Sequence, residues 1–306
     1  GLGTVFAVTL LLWRRRRLSG LRISALYVYP VKSCRGLRVA EAQLTPDGLR
    51  HDRAYCVAEV TTGEAVVMTA RKVPQLALIS PSISEDGLIL RKEGSTDCVV
   101  AANSGRTRRI NMLLTEDADG EDMGEDAAAW LREALGEEGD VRLFRFVASR
   151  VADAAFGEGS FLGSDGFSVL VTSEASLSLC ELRSGLSLAA ERMRPNIVLT
   201  GCEAHEEDRW ERLTWERGCA SAQLALVKPC ARCIMPSVDP CSGSFGADPL
   251  RHLKPFRSGR ELEKADTPHS VHFGRNRGDI FFGVNANTVV RGEVSLHVGD
   301  VLTSSS

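Results

Sequence analysis

The sequence has no excess of basic residues, no internal repeat and no apolar run long enough to cross a bilayer. Its 37 Lys and Arg residues and 40 Asp and Glu residues give a formal net charge of −3. This balance argues against a general nucleic-acid binder, which needs a basic surface. Hydrophobic residues make up 43% and charged residues 25% of the chain, as in a soluble globular protein. A wholly disordered chain, a collagen-like fibre and a multi-pass membrane protein are thereby excluded.

The sequence also lacks a regular cysteine framework. Its nine cysteines are an odd number, and a chain of this length does not depend on disulfides for its stability. We therefore expect reduced thiols in a protein that faces the cytosol. The length of 306 residues exceeds that of a typical single domain and predicts two cooperating modules.

The first residues combine a short apolar run with a basic flank, and there is no initiator methionine. Residues 2–13 are almost wholly apolar, and Arg14 to Arg17 follow directly. Twelve apolar residues are too few to span a bilayer, which needs roughly 20. In a cleaved signal peptide the basic residues would precede the apolar run. We therefore expect residues 1–18 to be a truncated membrane anchor with its basic flank on the cytoplasmic side.

Residues 19–147 are dominated by short stretches rich in branched and apolar residues, separated by turn residues. One helix is predicted at Glu125–Leu135, where acidic residues open the first turn and Gly136 caps the end. Asp86-Gly87 lies between apolar residues and predicts a hairpin. Many short strands and few helices indicate a small β-barrel or sandwich. The predicted strands are Leu21–Tyr29, Val39–Thr45, Tyr55–Val60, Leu76–Ser80 and Asp97–Ala101.

Residues 148–306 form a second predicted unit. Ser173 follows a predicted strand and can cap a helix that extends to about Arg183, with Gly185 at its end. We expect residues 239–270 to be mostly loop, with a short helix near Leu250–Leu253. The whole predicts a β-rich α+β fold of two barrel-like modules in series. The predicted strands are Ser168–Thr172, Ile197–Thr200, Ser221–Val227, Ile280–Val284 and Glu293–Leu302.

The densest group of reactive side chains is the segment Lys228-Pro229-Cys230-Ala231-Arg232-Cys233, which we place just after a strand. The Cys-x-x-Cys pair could be half of a zinc site, but structural zinc needs four ligands. It could be a redox pair, but such a motif opens a helix, and Pro236 disfavours a helix here. One thiolate could instead bind a soft metal beside Arg232. Two buried cysteines without chemistry remain the fourth interpretation.

Three other segments place polar or basic residues at strand ends. Lys32 and Ser33 follow the first predicted strand, Arg53 precedes another, and Arg194 and Asn196 flank the proline before Ile197. Side chains and free backbone N–H groups at such positions can bind a phosphate.

Together these segments resemble the MOSC family of molybdenum-cofactor-binding domains, most closely its amidoxime-reducing members. The resemblance covers nearly the whole chain from Leu21 onward and implies two MOSC-type β-barrel modules. Its most specific motif is CARCIMPSVDPCSG, from Cys230 to Gly243. The other matching motifs are YPVKSC, HDRAY, MTAR, SEAS and RPNIVL.

The resemblance also implies the residues of a cofactor site. Cys233 matches the cysteine that ligates molybdenum and is the implied catalytic residue. Ala231 stands where a family member has serine, so only a backbone contact is available at that position. The residues implied to hold the pterin and its phosphate are Lys32, Ser33, Arg53, Asp165, Arg194, Asn196, Ala231 and Arg232.

The activity implied by the resemblance is molybdenum-cofactor-dependent reduction of N-hydroxylated compounds such as amidoximes, hydroxylamines and N-oxides, with nitrite as a further candidate. The spacing of Gly157, Gly159 and Gly163 misses the dinucleotide fingerprint by one residue, so electrons must come from another protein. The resemblance implies cytochrome b5 and its NADH-dependent reductase, and an address on the cytosolic face of the outer mitochondrial membrane. Two alternatives stay open: a cofactor or sulfur carrier like the C-terminal domain of molybdenum cofactor sulfurases, and a zinc-stapled interaction module.

Overall fold

The computed structural model describes residues 20–84, 87–100, 105–186 and 190–306. The expected anchor, residues 1–18, lies outside these ranges, and so does Asp86 of the predicted hairpin. Across the four ranges no helix is both long enough and apolar enough to cross a membrane.

The secondary structure of these ranges is mostly β. The strands are β1 (Leu21–Val28), β2 (Leu37–Val39), β3 (Glu41–Thr45), β4 (Gly48–Leu49), β5 (Tyr55–Val60), β6 (Ala65–Val67), β7 (Ser80–Ser84), β8 (Gly87–Arg91), β9 (Cys98–Val100), β10 (Thr107–Asn111), β11 (Ala118–Asp122), β12 (Asp140–Phe146), β13 (Arg150–Val151), β14 (Ser160–Phe161), β15 (Val169–Ser173), β16 (Ile197–Thr200), β17 (Arg212–Arg217), β18 (Ala220–Ala231), β19 (Val238–Asp239), β20 (Ser244–Phe245), β21 (Phe281–Arg291), β22 (Val294–His297) and β23 (Val301–Ser305). The α-helices are α1 (Glu125–Leu135), α2 (Glu174–Ser184), α3 (Ala190–Met193), α4 (Leu250–Arg257), α5 (Gly259–Leu262) and α6 (Ser270–Arg275).

The first barrel consists of β5, β6, β10, β11 and β12. Its strands pair antiparallel except where β6 and β10 run parallel and close the barrel. Inward residues such as Ile110 and Phe144 are fully buried, because side chains alternate between the two faces of each strand. Helix α1 packs against β12, and the hairpin β7–β8 with β9 forms a separate small sheet.

The second barrel is larger and includes the first strand of the chain. Its strands follow the order β16, β15, β21, β18, β17, β23 and β1, and pairing of β1 with β16 closes it. Leu26, Ile197 and Leu224 belong to its buried core. The prediction of a β-rich α+β fold with two barrel modules is confirmed. The boundary that we placed between residues 147 and 148 stays a prediction.

The two longer predicted helices form as α1 and α2, with the expected caps. Ser173 Oγ accepts a hydrogen bond from the backbone N–H of Ser176 and caps α2, as Ser commonly does at this position. Gly136 and Gly185 end α1 and α2 in left-handed conformations, with φ of 68° and 67°, which glycine adopts without steric cost.

Several predicted strands are wrong in type or extent. Leu76–Ser80 was expected as a strand, but Pro74–Leu78 is a 3₁₀ helix, because a short apolar run fits either structure and proline favours the first helical turn. Val39–Thr45 breaks at Ala40 into β2 and β3, which belong to different sheets. Glu293–Leu302 is likewise interrupted at Gly299, where φ is 97°.

The short helix predicted near Leu250–Leu253 forms as α4, which extends to Arg257. Residues 239–270 are otherwise more ordered than the expected loop, since β20 and α5 also lie there. The strand prediction also missed β10, β11, β12 and β17. Strand β17 alternates buried Leu213 and Trp215 with exposed charged residues, a period-2 signal obscured by its arginines.

The fold predicts a stability effect at the strand that closes the second barrel. Leu26 is fully buried, so Leu26→Ala should lower the free energy of unfolding by about 2–5 kcal/mol through lost burial and a cavity. Leu182→Ala is the control, because Leu182 is 80% exposed and its truncation should change stability by less than about 0.5 kcal/mol. Urea denaturation measures both variants, and equal losses would contradict the assigned core.

Candidate functional site

The first site segment is the turn after β1. The backbone N–H of Lys32 donates to Tyr55 O at 2.8 Å, which ties the turn to the first barrel. Ser33 adopts a φ of 69°. Lys32 and Ser33 are both buried, at 6% and 7% exposure, and their role in binding a phosphate stays a prediction.

The second segment is the turn that contains Asp52 and Arg53. The backbone N–H of Arg53 donates to Tyr29 O at 2.7 Å, and Asp52 Oδ1 accepts the N–H of Tyr29 at 2.8 Å. Asp52 Oδ2 forms an ion pair with Arg53 Nη1. These contacts lock the turn against the end of β1.

The third segment, Arg194-Pro195-Asn196, leads into β16. Asn196 Oδ1 accepts hydrogen bonds from Arg53 Nη1 at 3.0 Å and from the N–H of Leu170 at 3.1 Å. Its Nδ2 donates to Tyr27 O at 3.2 Å. One amide side chain therefore joins the three elements that meet here.

These turns share an unusual backbone conformation. In the described ranges six non-glycine residues have a positive φ, and three of them are Ser33, Arg53 and Arg194. Such conformations cost free energy and concentrate at functional sites. Three of the eight residues predicted to hold the cofactor thus have a positive φ, which non-glycine residues usually avoid.

Two arginines converge on one tyrosine ring. The guanidinium carbons of Arg53 and Arg194 lie 4.4 Å and 4.3 Å from the centre of the Tyr29 ring, which is fully buried. Burial and the neighbouring Arg53 charge lower the pKa of Arg194 to about 10. Two like charges held this close favour a bound anion, which would relieve their repulsion.

The Cys-x-x-Cys segment lies at the end of β18 itself, which extends to Ala231, and not after the strand as predicted. Its pairing with β21 shifts register between Leu226 and Lys228 and again between Pro229 and Ala231. Proline is tolerated at such bulges, and bulges redirect side chains near active sites. The pair therefore does not open an α-helix.

Beyond the strand, Arg232 is fixed by its neighbours. Its backbone N–H donates to Ile280 O at 2.8 Å, its Nη2 to Met193 O at 2.8 Å and its Nη1 to Cys230 Sγ at 3.1 Å. The Nε of Arg232 is buried without a hydrogen-bond partner. Cys233 is a free, exposed thiol.

All nine predicted site residues line a single cleft of about 310 Å³. This volume lies at the small end of the range for ligand sites. Of the charged side chains in its lining, six are basic and only Asp165 is acidic, although the whole chain carries a net charge of −3. The six basic residues are Lys32, Arg53, Arg71, Arg194, Lys228 and Arg232.

Asp165 and Lys32 form an ion pair within the cleft. Lys32 Nζ donates to Asp165 Oδ1 at 2.5 Å and to Gly163 O at 2.8 Å. Burial lowers the pKa of Lys32, and the Asp165 carboxylate opposes that shift. The Asp165 carboxylate thus already pairs with the lysine that we predicted to bind phosphate. An incoming anion would have to compete with Asp165 for Lys32.

The sequence analysis missed further residues of the cleft. Thr69 and Arg71 lie within the MTAR motif and Lys228 begins the cysteine segment, yet none was assigned a role. Asn285 and Leu114 also line the cleft. Asn285 could have been identified from the sequence, since it is a polar residue within the apolar strand β21. No sequence feature distinguishes Leu114 as a cleft residue.

The donor set fits an anionic group that carries a soft metal. A phosphate suits the clustered guanidinium and ammonium groups and the unpartnered Nε of Arg232. A thiolate is a strong ligand for soft metals, and Cys233 is the accessible thiol beside these cations. The residues that line the cleft are therefore compatible with a phosphate-bearing metal cofactor.

Comparisons with known proteins agree with this geometry. The sequence matches the MOSC N-terminal beta barrel domain over residues 20–138 and the MOSC domain over residues 158–303. The chain therefore belongs to the family of MOSC-domain proteins, as the sequence motifs indicated.

Individual relatives show which members of this family the chain is similar to. The chain is 33% identical to mitochondrial amidoxime reducing component 2 of Bos taurus, over 85% of this chain and 80% of that one. It is 32% identical to mitochondrial amidoxime-reducing component 1 of Homo sapiens, over 86% and 80%. A molybdenum cofactor sulfurase of Danio rerio is 27% identical over 79% of this chain but only 31% of the sulfurase. These names support a function related to the molybdenum cofactor.

The buried Asp52–Arg53 pair predicts a measurable electrostatic coupling. Asp52 and Arg53 side chains are 2% and 11% exposed, so Asp52→Asn leaves a poorly solvated charge and should lower the free energy of unfolding by about 3–5 kcal/mol. The double variant Asp52→Asn/Arg53→Met should lose less, because the unpaired charge is gone.

The matched control is Asp97→Asn. Asp97 pairs with Arg91, but these side chains are 55% and 45% exposed, so the loss should stay below about 1 kcal/mol. A double-mutant cycle measured by urea denaturation that shows no coupling between Asp52 and Arg53 would contradict the assignment.

Proposed function

We propose that this protein is a molybdenum-cofactor-dependent reductase of N-hydroxylated compounds, such as amidoximes, hydroxylamines and N-oxides, with nitrite as a further candidate. The observation that carries the proposal is the cleft in which six basic side chains surround the accessible thiol of Cys233. The names of the amidoxime-reducing relatives support the reaction.

In this proposal the side chains divide into anchors and a ligand. Arg194 and Arg53 bind the phosphate of the cofactor through charge-assisted hydrogen bonds, and Lys32 joins them when the phosphate displaces the carboxylate of Asp165. The remaining predicted residues, Ser33, Asp165, Asn196, Ala231 and Arg232, line the pterin position, and Ala231 contributes only backbone atoms. Cys233 provides the thiolate ligand for molybdenum, since the thiolate is the ligand form of cysteine.

The cofactor, when bound, supplies the two-electron redox chemistry, and the protein supplies binding and orientation. Overall, an N-hydroxy group takes up two electrons and two protons and loses its oxygen as water, which converts an amidoxime to an amidine and an N-substituted hydroxylamine to an amine. The cleft keeps the substrate beside Cys233. Asp239 follows the cysteine segment, but its carboxylate accepts backbone hydrogen bonds from Cys241 and Ser242 and stabilises a turn.

The proposed electron donors are cytochrome b5 and its NADH-dependent reductase, which the family resemblance implies. The sequence carries no dinucleotide fingerprint of its own, which supports delivery by another protein. We further propose a location at the outer mitochondrial membrane, held by the N-terminal anchor, with the catalytic part facing the cytosol. The relatives' names support a mitochondrial address.

The second candidate is a carrier of the cofactor or of sulfur on Cys233. It is favoured by the partial similarity to the sulfurase, of which this chain spans about a third. A carrier would release the cofactor or hold it in transit, whereas an enzyme retains it through many turnovers.

The proposed function is tested by cofactor content and turnover of the protein made in a host that synthesises the cofactor. Molybdenum and pterin should be close to stoichiometric, and NADH, cytochrome b5 and its reductase should together support benzamidoxime reduction. Cys233→Ala should abolish turnover, because molybdenum loses its protein ligand, and Cys230→Ala is the matched control and should be much milder. Equal loss in both variants would refute the single-ligand assignment, and cofactor that binds but is released on dialysis, without turnover, would favour the carrier.

Arg194 predicts a selective effect on cofactor retention. A charge-assisted hydrogen bond to phosphate contributes roughly 1.5–3 kcal/mol, so Arg194→Ala should weaken cofactor affinity about tenfold or more. Molybdenum and pterin content after dialysis measures this, with Arg108→Ala as an exposed arginine control from β10. Full retention in Arg194→Ala would show that the phosphate lies elsewhere.

A further inference from the structure

An exposed apolar loop forms one edge of the cleft. Residues 112–117 connect β10 to β11, and two consecutive leucines lie at the tip. Leu113 is 42% exposed and Leu114 is 61% exposed, and Leu114 lines the cleft. Single exposed apolar residues are common on protein surfaces, so exposure alone does not assign a role.

The backbone of this loop is held in a costly conformation. Leu113 has a φ of 67°, a region that branched side chains avoid. Asn111 Oδ1 accepts the N–H of Leu113 at 3.0 Å, and the N–H of Leu114 donates to Met112 O at 2.8 Å. Leu113 has a backbone conformation that leucine avoids, and the neighbouring Leu114 is an apolar side chain exposed at a cleft. Such departures from local preference concentrate at functional positions.

Arg150 holds this loop in place through hydrogen bonds from its guanidinium group. The Arg150 residue is 8% exposed, and its Nη1 donates to Thr115 Oγ1 at 2.6 Å and to Glu116 O at 3.0 Å. Its guanidinium carbon lies 4.6 Å from the centre of the Phe161 ring. The loop that carries Leu114 is thus attached to a rigid, buried cation.

The same guanidinium holds the segment that leads to Asp165. Arg150 Nε and Nη2 donate to Leu162 O at 2.9 Å and 2.6 Å, and Nη2 also donates to Ser164 O at 3.0 Å. One side chain therefore sets the spacing between the leucine loop and the Asp165 segment, both of which line the cleft.

We propose that Leu114 is a specificity-determining residue that packs against the apolar body of the substrate, and that Arg150 is the positioning residue that holds it there. The inference rests on the proposed reductase function and names the residue of this chain that contacts the aryl or alkyl body of an N-hydroxylated substrate. The charged lining of the cleft binds the cofactor, whereas Leu114 offers an apolar contact at the rim.

The test compares two substrates that differ in apolar body. Benzamidoxime carries a phenyl ring and hydroxylamine carries no carbon. Leu114→Ser should lower the ratio of their kcat/KM values, benzamidoxime over hydroxylamine, about tenfold, which is the scale of a lost apolar contact. The change should lie mainly in the KM for benzamidoxime, and Leu114→Met should preserve the ratio. Leu182→Ser is the matched control, because Leu182 is 80% exposed on α2 and does not line the cleft.

Arg150→Lys keeps the positive charge but loses the planar fork. At equal molybdenum content, Arg150→Lys should lower the ratio of kcat/KM for benzamidoxime over hydroxylamine. Combined with Leu114→Ser it should cause little further loss, because both changes remove the same contact with the substrate. A loss of hydroxylamine turnover as large as that of benzamidoxime turnover would overturn the positioning role and leave Arg150 with a purely structural one.

Binding provides a readout that does not depend on turnover. Calorimetric titration of benzamidoxime into the oxidised holoprotein should give a Kd about tenfold weaker for Leu114→Ser than for Leu182→Ser. Unchanged affinity, or absence of benzamidoxime binding to the wild-type holoprotein, would overturn the inference. A wild-type protein that binds benzamidoxime through Leu114 but reduces neither compound would instead refute the proposed function and leave the contact established.

Discussion

The site depends on the repulsion between two guanidinium groups that share the buried ring of Tyr29. Arg53 is partly neutralised by Asp52, but Arg194 is not, and burial beside Arg53 makes its charge costly. Asn196 Oδ1 accepts a hydrogen bond from Arg53 Nη1, and Arg194 Nη1 donates to Cys34 O at 2.8 Å, so each arginine is held by its own contact. Under the proposed function these contacts position both charges before the cofactor phosphate binds, so little reorganisation free energy is needed.

Part of the fold could be predicted from local signals, since capping residues located the helix ends and many short apolar stretches indicated a β-rich architecture. The nine cleft residues were instead selected by resemblance to a family; the cleft brings all nine together, and their roles stay predictions. Strand extents could not, since β18 and β21 continue through bulges that only their mutual pairing reveals. Pro74–Leu78 was misassigned because an apolar run of this length has no period of its own. Leu114 was missed because its role depends on a loop position that tertiary contacts create.

Overall composition hid the charge of the cleft. A chain with a net charge of −3 nevertheless gathers six basic side chains around one pocket, and these come from segments separated by up to two hundred residues. A charge argument from composition therefore says nothing about a local cluster of basic side chains. Position on strand ends and turns carried that information, since it identified basic residues with backbone N–H groups nearby.

The incorporation of β1 into the second barrel has a consequence for folding order. Leu26 pairs with Ile197, and Leu21 pairs with Leu302, so the first strand must wait for the last before the barrel closes. Such long-range pairing loses chain entropy before stabilising contacts form, and this slows folding. The turns that carry Lys32 and Arg194 can meet once β1 and β16 have both been synthesised. Because Asn285 of β21 also lines the cleft, the cleft is complete only after most of the second barrel has paired.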